Sequence, residues 1–279
     1  MKTQYLPEYY LKGFTEATDA EMIWLYDQQS RTGRPITIFK ACADNQFDTD
    51  VREYYLIREV EEPAREVILK IRKQAPIAPE EKKTLALYLI LLWKRTPGRK
   101  KIMRGMALSI LDQIKKKAYQ QLEETYAAYP ETEDLYYKRR AEFDDLFNNQ
   151  QKMQSILKDS WEETVKPEIF LMSVHALTSM TWSFWVSDDE PFVTNDNPLF
   201  FHANLGIGQE KSEICFPVST RVALWSTWRS DIREGAFFKA NPQIVQELNR
   251  RTVSNRVRSI FASSKLDWIT KSLSEAAGN

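Results

Sequence analysis

The feature that most limits what this chain can fold into is the order of its hydrophobic periodicities: strand-like, then helical, then strand-like again. Residues 22–26 and 36–39 are rich in β-branched and aromatic side chains, and the polar stretch between them, 27–34, contains Gly33 and runs into Pro35. Two such runs predict a hairpin with a long loop. From Pro63 the apolar residues move to helical spacing at Ala64, Val67, Ile68 and Ile71, which predicts a short amphipathic helix. The β pattern returns in 181–187, with two tryptophans, and in Phe192-Val193-Thr194 across the polar turn 188–191. Residues 214–218 and 222–225 read as further strands, Pro242 as the start of a helix toward Val257, 259–263 as a strand and 266–273 as a last helix. This order is α+β: small antiparallel β elements at the two ends flank a large helical block, without the alternation of a doubly wound parallel sheet. No Gly/Ser-rich linker interrupts the 279 residues. They read as a single domain, 1–279, with a helical block of about 63–178 inserted between the β-containing segments.

Within that block, Pro79-Glu80-Glu81 marks a helix start, its acids favoured by the positive end of the helix dipole. The helix carries the most apolar window of the chain, 85–93, to Arg95. That window is far shorter than the ~20 residues needed to span a bilayer, and Lys82, Lys83, Lys94 and Arg95 flank it. A buried helix and no membrane contact are expected. Thr96-Pro97 reads as a cap and first turn. In the helix that follows, Met103, Met106, Ala107, Ile110, Ile114, Ala118 and Leu122 make one apolar stripe, expected to be its packing face. Further helices are predicted over 133–148 and 169–178. The first residues lack the apolar run of a signal peptide. Cys42 and Cys215 are the only cysteines, too few for a disulfide framework or a metal-binding pair. A reduced, cytoplasmic setting is the expectation.

Lys+Arg and Asp+Glu both total 39, which removes the simplest argument for nucleic-acid binding, a strongly basic chain. Locally the balance differs: residues 63–117 hold fifteen Lys/Arg and four Asp/Glu. Lys101, Arg104, Lys115 and Lys116 are predicted to point away from the apolar stripe, on a face able to track phosphates. The alternative is a basic helix lying against the acidic run from Glu123 to Asp145. Phosphate-loop, His-Glu-x-x-His and Gly-x-Ser-x-Gly patterns are all missing from the sequence. Gly206-Ile207-Gly208 begins like a dinucleotide fingerprint, but Lys211 stands where the third glycine belongs. His175, among Phe170, Leu171 and Val174, reads as a hydrogen-bonded core histidine. His202, at a strand-to-loop edge, is either an exposed functional group or an ordinary edge residue.

The segment Thr194-Asn195-Asp196-Asn197-Pro198 carries the most chemistry, because Pro198 keeps Asn197 extended and so fixes the backbone beneath the polar side chains. A carboxylate held there is able to act as a base or take a cation. The alternative is that the Asn and Asp side chains only cap a turn. The cofactor stays unknown: a divalent metal is possible, although no recognisable motif supports one. Antiparallel pairing across 188–191 would set Asp196 opposite Ser183. That would put Asp188, Asp189 and Glu190 on the order of 15–20 Å away, as a solvated turn.

The chain resembles the bacterial family labelled domain of unknown function 4238 (DUF4238) over nearly its whole length. The likeness rests on Tyr5-Leu6-Pro7-Glu8-Tyr9-Tyr10-Leu11-Lys12-Gly13-Phe14, the hairpin through Trp24 and Tyr26, and Arg95-Thr96-Pro97. It continues in Phe192-Val193-Thr194-Asn195-Asp196-Asn197-Pro198, Phe216-Pro217-Val218-Ser219 and the segment 249–263. Gln4 stands where relatives usually have a histidine, which puts a histidine-dependent mechanism in doubt for this chain. The resemblance supplies no activity. It implies a bacterial protein of the kind found among single-gene, prophage-carried antiphage defence systems.

Two functions are therefore expected. One is a defence effector, a hydrolase or nuclease acting on nucleic acid or nucleotide. In it Asp196 is base or metal ligand, Asn195 and Asn197 orient it, and Arg95 stabilises phosphate charge. The other is a sensor without chemistry that recognises a phage protein or other phage component through Trp182, Trp185, Trp225 and Trp228. Ordinary core packing is the alternative use of those four side chains.

Overall fold

The computed structural model describes residues 3–4, 6–16, 20–44, 57–164, 171–202 and 206–275. The chain divides into two compact units, one formed by Met1–Pro97 with Phe170–Asn279 and the other by Gly98–Ile169.

The first unit begins with β1 (Thr3–Gln4), α1 (Glu8–Leu11), and the hairpin of β2 (Met22–Asp27) and β3 (Thr32–Thr37). The hairpin loop is shorter than the sequence suggests. The Asp27 carboxylate accepts the Gln29 and Ser30 N–H groups, and Arg31 turns the chain at φ 54°. Phe39 falls in α2 (Ile38–Cys42) rather than in a strand, since Ile38, Ala41 and Cys42 are the buried positions there. β4 (Ala43–Asp44) then pairs antiparallel with β1.

α3 (Glu62–Arg72) buries Ala64, Val67, Ile68 and Ile71, the four residues at helical spacing. α4 (Pro79–Arg95) starts at its proline. Its Glu81 carboxylate accepts the Ala78 N–H at 2.7 Å and pairs with Lys70 of α3 at 2.7 Å. Leu85, Leu89, Ile90 and Leu92 are buried in the core; truncating one of these leucines to alanine would cost about 2–5 kcal/mol. The Thr96 hydroxyl donates to the Trp93 carbonyl at 2.9 Å, so it closes α4.

The second unit holds most of α5 (Pro97–Ala128), with α6 (Glu133–Asn148) and α7 (Gln150–Thr164). The expected packing stripe of α5 is corrected in part: Met106, Ile110 and Ile114 are each more than half exposed, whereas Ala107, Ala118 and Leu122 are half-buried. The inward line lies roughly 100° round the helix, where Lys115 donates to Asn148, the Tyr119 hydroxyl donates to Asp144, and Tyr126 stacks on Tyr136 at 4.6 Å.

The chain re-enters the first unit through α8 (Leu171–Ser179). β5 (Thr181–Val186), β6 (Thr194–Asn195), β7 (Phe200–Phe201), β8 (Glu213–Pro217), β9 (Val222–Thr227) and β10 (Phe237–Lys239) follow. The unit closes with α9 (Pro242–Ser254), β11 (Ser259–Ala262) and α10 (Asp267–Glu275). Asn241 caps α9 by accepting the Ile244 N–H at 2.9 Å. A four-stranded sheet runs β3-β2-β11-β6, and a five-stranded sheet runs β10-β5-β9-β8-β7. All neighbours are antiparallel except β10 with β5. The architecture is α+β. Ser183 pairs with Trp225 and Asn195 with Ile260, so the expected pairing of Asp196 with Ser183 does not occur. Between them the chain leaves one sheet for the other, held by the Ser187 N–H on Arg221 and the Phe192 N–H on Thr220. One face of the five-stranded sheet, with Phe184, Phe216 and Leu224, packs into a core shared with Tyr10, Phe14, α3 and α4. Among the described residues no helix is long and apolar enough to cross a membrane.

Candidate functional site

The 194–197 segment is a hydrogen-bonded hub. Thr194 and Tyr10 hydroxyls meet at 2.6 Å, and the Tyr10 hydroxyl donates to the Pro217 carbonyl at 2.9 Å. Asn195 donates its amide to the Thr252 carbonyl and accepts the Asn197 N–H at 2.7 Å. Asp196 Oδ1 accepts the Val257 N–H at 2.8 Å, and Oδ2 accepts those of Arg258 and Ser259 at 2.8 and 3.0 Å. Asn197 donates to the Asn255 carbonyl, and Asn255 donates back to the Asn197 and Leu199 carbonyls. Asp196 is 2 % exposed. Burial pushes its carboxyl above the usual carboxylate range, against the pull of the three backbone N–H bonds. A general base must reach the proton it takes, and both oxygens here are committed to backbone. Two buried atoms of this hub, Asn197 Oδ1 and Arg256 Nε, lack a hydrogen-bond partner among the described residues.

Beside the hub, the Arg72 guanidinium donates to the Val218, Tyr9 and Tyr10 carbonyls at 3.0, 3.1 and 2.9 Å. Gly13 makes room for it. A Cβ there would lie 2.2 Å from Arg72 Nη2.

A cleft of about 1250 Å³ lies elsewhere in the first unit, between the start of α4, the exposed side of α8 and the turn that leads into β10. Lys82 donates to the Met180 carbonyl at 2.8 Å, pairs with Glu234 at 3.1 Å and sits 5.4 Å from the centre of the Trp182 ring. Glu234 also accepts the Trp182 N–H at 2.9 Å. This pair fixes the cleft wall through Trp182, whose indole N–H donates to the Leu177 carbonyl. Lys83 and Arg233 line the same cleft, exposed, with no partner for either side chain among the described residues. The only acid among the lining residues is Glu234, which Lys82 already neutralises. Ile77, Leu171, Val174 and Phe237 give apolar walls. The arrangement suits an anionic ligand with apolar parts.

A family model described as "Protein of unknown function (DUF4238)" matches residues 5–266. The chain belongs to the DUF4238 family. Comparisons with curated proteins and with solved structures gave no match. In this DUF4238 chain the segments that carry the resemblance bond to one another. Tyr10 joins Thr194 and Pro217, Arg72 joins the opening segment to Val218, and Asp196 joins 257–259. These segments build the scaffold, and the cleft residues lie outside them.

The candidate residues read from sequence do not come together. Asn195, Asp196 and Asn197 are adjacent in the hub, whereas the side chains of Arg95, Lys101 and Arg104 lie outside the described residues. Lys115 is corrected: it turns inward to Asn148 rather than lining an outer face, for the reason that the stripe itself is rotated. Lys116 is exposed and paired with Asp112 at 2.9 Å. Trp182 is core. Trp185 and Trp225 are half-buried neighbours at 5.8 Å, and Trp228 donates to the Ile207 carbonyl. His175 is corrected from a core position to an exposed one in the cleft. Val174 and Leu177 take the buried side of α8, and His175 shares a hydrogen bond with Ser179 at 3.1 Å. His202 is exposed, its ring against Phe200. Both cysteines are free and buried; burial pushes the Cys215 thiol up to about 12. Among the described residues no group of His, Cys, Asp or Glu is placed to hold a metal ion. Sequence reading missed that Lys83 and Arg233 line one cleft. The one signal for it in the sequence is the Lys82-Lys83 doublet near the start of α4.

Proposed function

We propose that this chain is a cytoplasmic recognition module of bacterial, prophage-carried antiphage defence, and that it binds an anionic, partly apolar component of the phage in the cleft. The observation that carries the reading is the convergence of Lys82, Lys83 and Arg233 on one cleft with a single, already neutralised acid. Burial and engagement of both Asp196 oxygens count against the hydrolase or nuclease reading, which needs a carboxylate that a substrate reaches.

Thermal unfolding of the purified chain with inorganic phosphate, nucleotides and acidic peptides tests the reading. A ligand that binds only the folded state raises Tm by mass action. At least one of these anions is expected to raise the Tm of the wild type and not that of the Lys83→Glu/Arg233→Glu double variant. If none does, or if the double variant responds equally, the cleft is not the recognition site.

A further inference from the structure

Resting on the cleft reading and deepening it, we propose that the ligand is an extended acidic peptide that adds to the five-stranded sheet as a strand beside β10. β10 is the outermost strand of that sheet. The Phe184 N–H donates to the Ala236 carbonyl and the Ala240 N–H to the Val186 carbonyl, both at 2.8 Å, in a parallel register that sets Phe237 beside Phe184. In a parallel ladder a residue directs both backbone groups to one neighbour and the next residue directs them away. Phe238 therefore faces β5, as do the Ala236 carbonyl and the Ala240 N–H. The backbone groups of Phe237 and Lys239 face outward, without a partner among the described residues.

An unpaired edge of this kind is a template for a further strand, in which main-chain bonds supply affinity and alternate side chains supply specificity. The cleft borders this edge at Phe237 and Phe238, and the turn 233–236 that leads into the strand forms the rest of that wall. Its volume of about 1250 Å³ exceeds the roughly 300–1,000 Å³ of small-ligand pockets. Lys83 and Arg233 offer unneutralised positive charge, and Leu171, 65 % exposed, adds an apolar side chain to the lining. Side chains of an extended peptide alternate between two faces. A peptide with carboxylates at every second residue and aliphatic groups between them matches both kinds of wall.

The test uses eight-residue peptides alternating glutamate with valine, fluorescein-labelled and titrated with the full chain by anisotropy. The glutamate peptide is expected to bind at least about tenfold more tightly than its lysine counterpart, a difference worth one charge-assisted contact. N-methylating one alternate set of peptide nitrogens is expected to weaken binding by about tenfold and the other set to leave it nearly unchanged, because only one set faces β10. Lys239→Pro removes an outward N–H on an edge strand, where proline is tolerated, and is expected to weaken binding similarly. Equal binding of both N-methylated sets, or equal binding of the lysine peptide, overturns the inference. If phosphate or a nucleotide raises Tm while the glutamate peptide does not bind, the peptide inference fails and the cleft reading stands. If no anion binds, both fail.

Discussion

Replacing Asp196 with alanine removes the acceptor from the backbone N–H groups of Val257, Arg258 and Ser259, at a position 2 % exposed. A hydrogen bond to a charged group contributes about 1.5–3 kcal/mol net, so three set an upper bound of about 5–9 kcal/mol. Alanine also relieves the desolvation of a buried carboxylate, a term of several kcal/mol in the other direction. The expected net loss is about 3–5 kcal/mol, large for a single substitution. Urea unfolding followed by tryptophan fluorescence measures it in the right place. Of the eight tryptophans, all but Trp161 lie in the first unit. With a slope of about 2 kcal/mol per M, the midpoint falls by roughly 1.5–2.5 M. Asp196→Asn keeps one acceptor oxygen and is expected to lose about half as much. An Asp196→Ala protein that unfolds within about 0.5 kcal/mol of the wild type refutes the reasoning, since surface substitutions free of buried partners show changes of that size.

Arg72→Met strips donors from three carbonyls and is expected to cost about 2–4 kcal/mol. Gly13→Ala pushes the guanidinium aside and should cost a similar amount alone but little more in the Arg72→Met background; strict additivity in a double-mutant cycle would contradict this. The Asp27 carboxyl is held below its ordinary 3.8: burial would raise it, but the Ser30 N–H, the Arg258 guanidinium and the Gln29 N–H outweigh burial. Its stabilising contribution is therefore full above that ordinary value and is lost as pH falls through the lower folded value. The advantage of wild type over Asp27→Asn in thermal unfolding should be present at pH 7 and shrink as pH falls below about 3.8; a gap that does not change with pH contradicts the assignment.

Much of the fold was legible because local rules agree with it. α3 has its apolar residues at helical spacing, α4 opens on Pro79 with two acids, and α9 opens on Asn241-Pro242. α5 misled because the line that meets a neighbour, through Lys115, Tyr119 and Tyr126, lies about 100° from the aliphatic one, and periodicity alone does not say which face packs. β7 and β10 have two and three residues, too short for an alternation to register. The role of Asp196 turned on which sheet its strand joins, a choice made by pairing with β11 more than sixty residues further on. The cleft was invisible for the same reason. Lys83, His175 and Arg233 come from three distant segments, and each alone is an ordinary surface residue.

The most direct test of recognition through the cleft is phage plaquing on cells producing wild type, Lys83→Glu/Arg233→Glu or Asp196→Asn at matched soluble levels. The account predicts that wild type and folded Asp196→Asn both protect, and that the double variant, with its fold intact, does not. Protection by the double variant equal to wild type, or its loss in folded Asp196→Asn, would contradict the account.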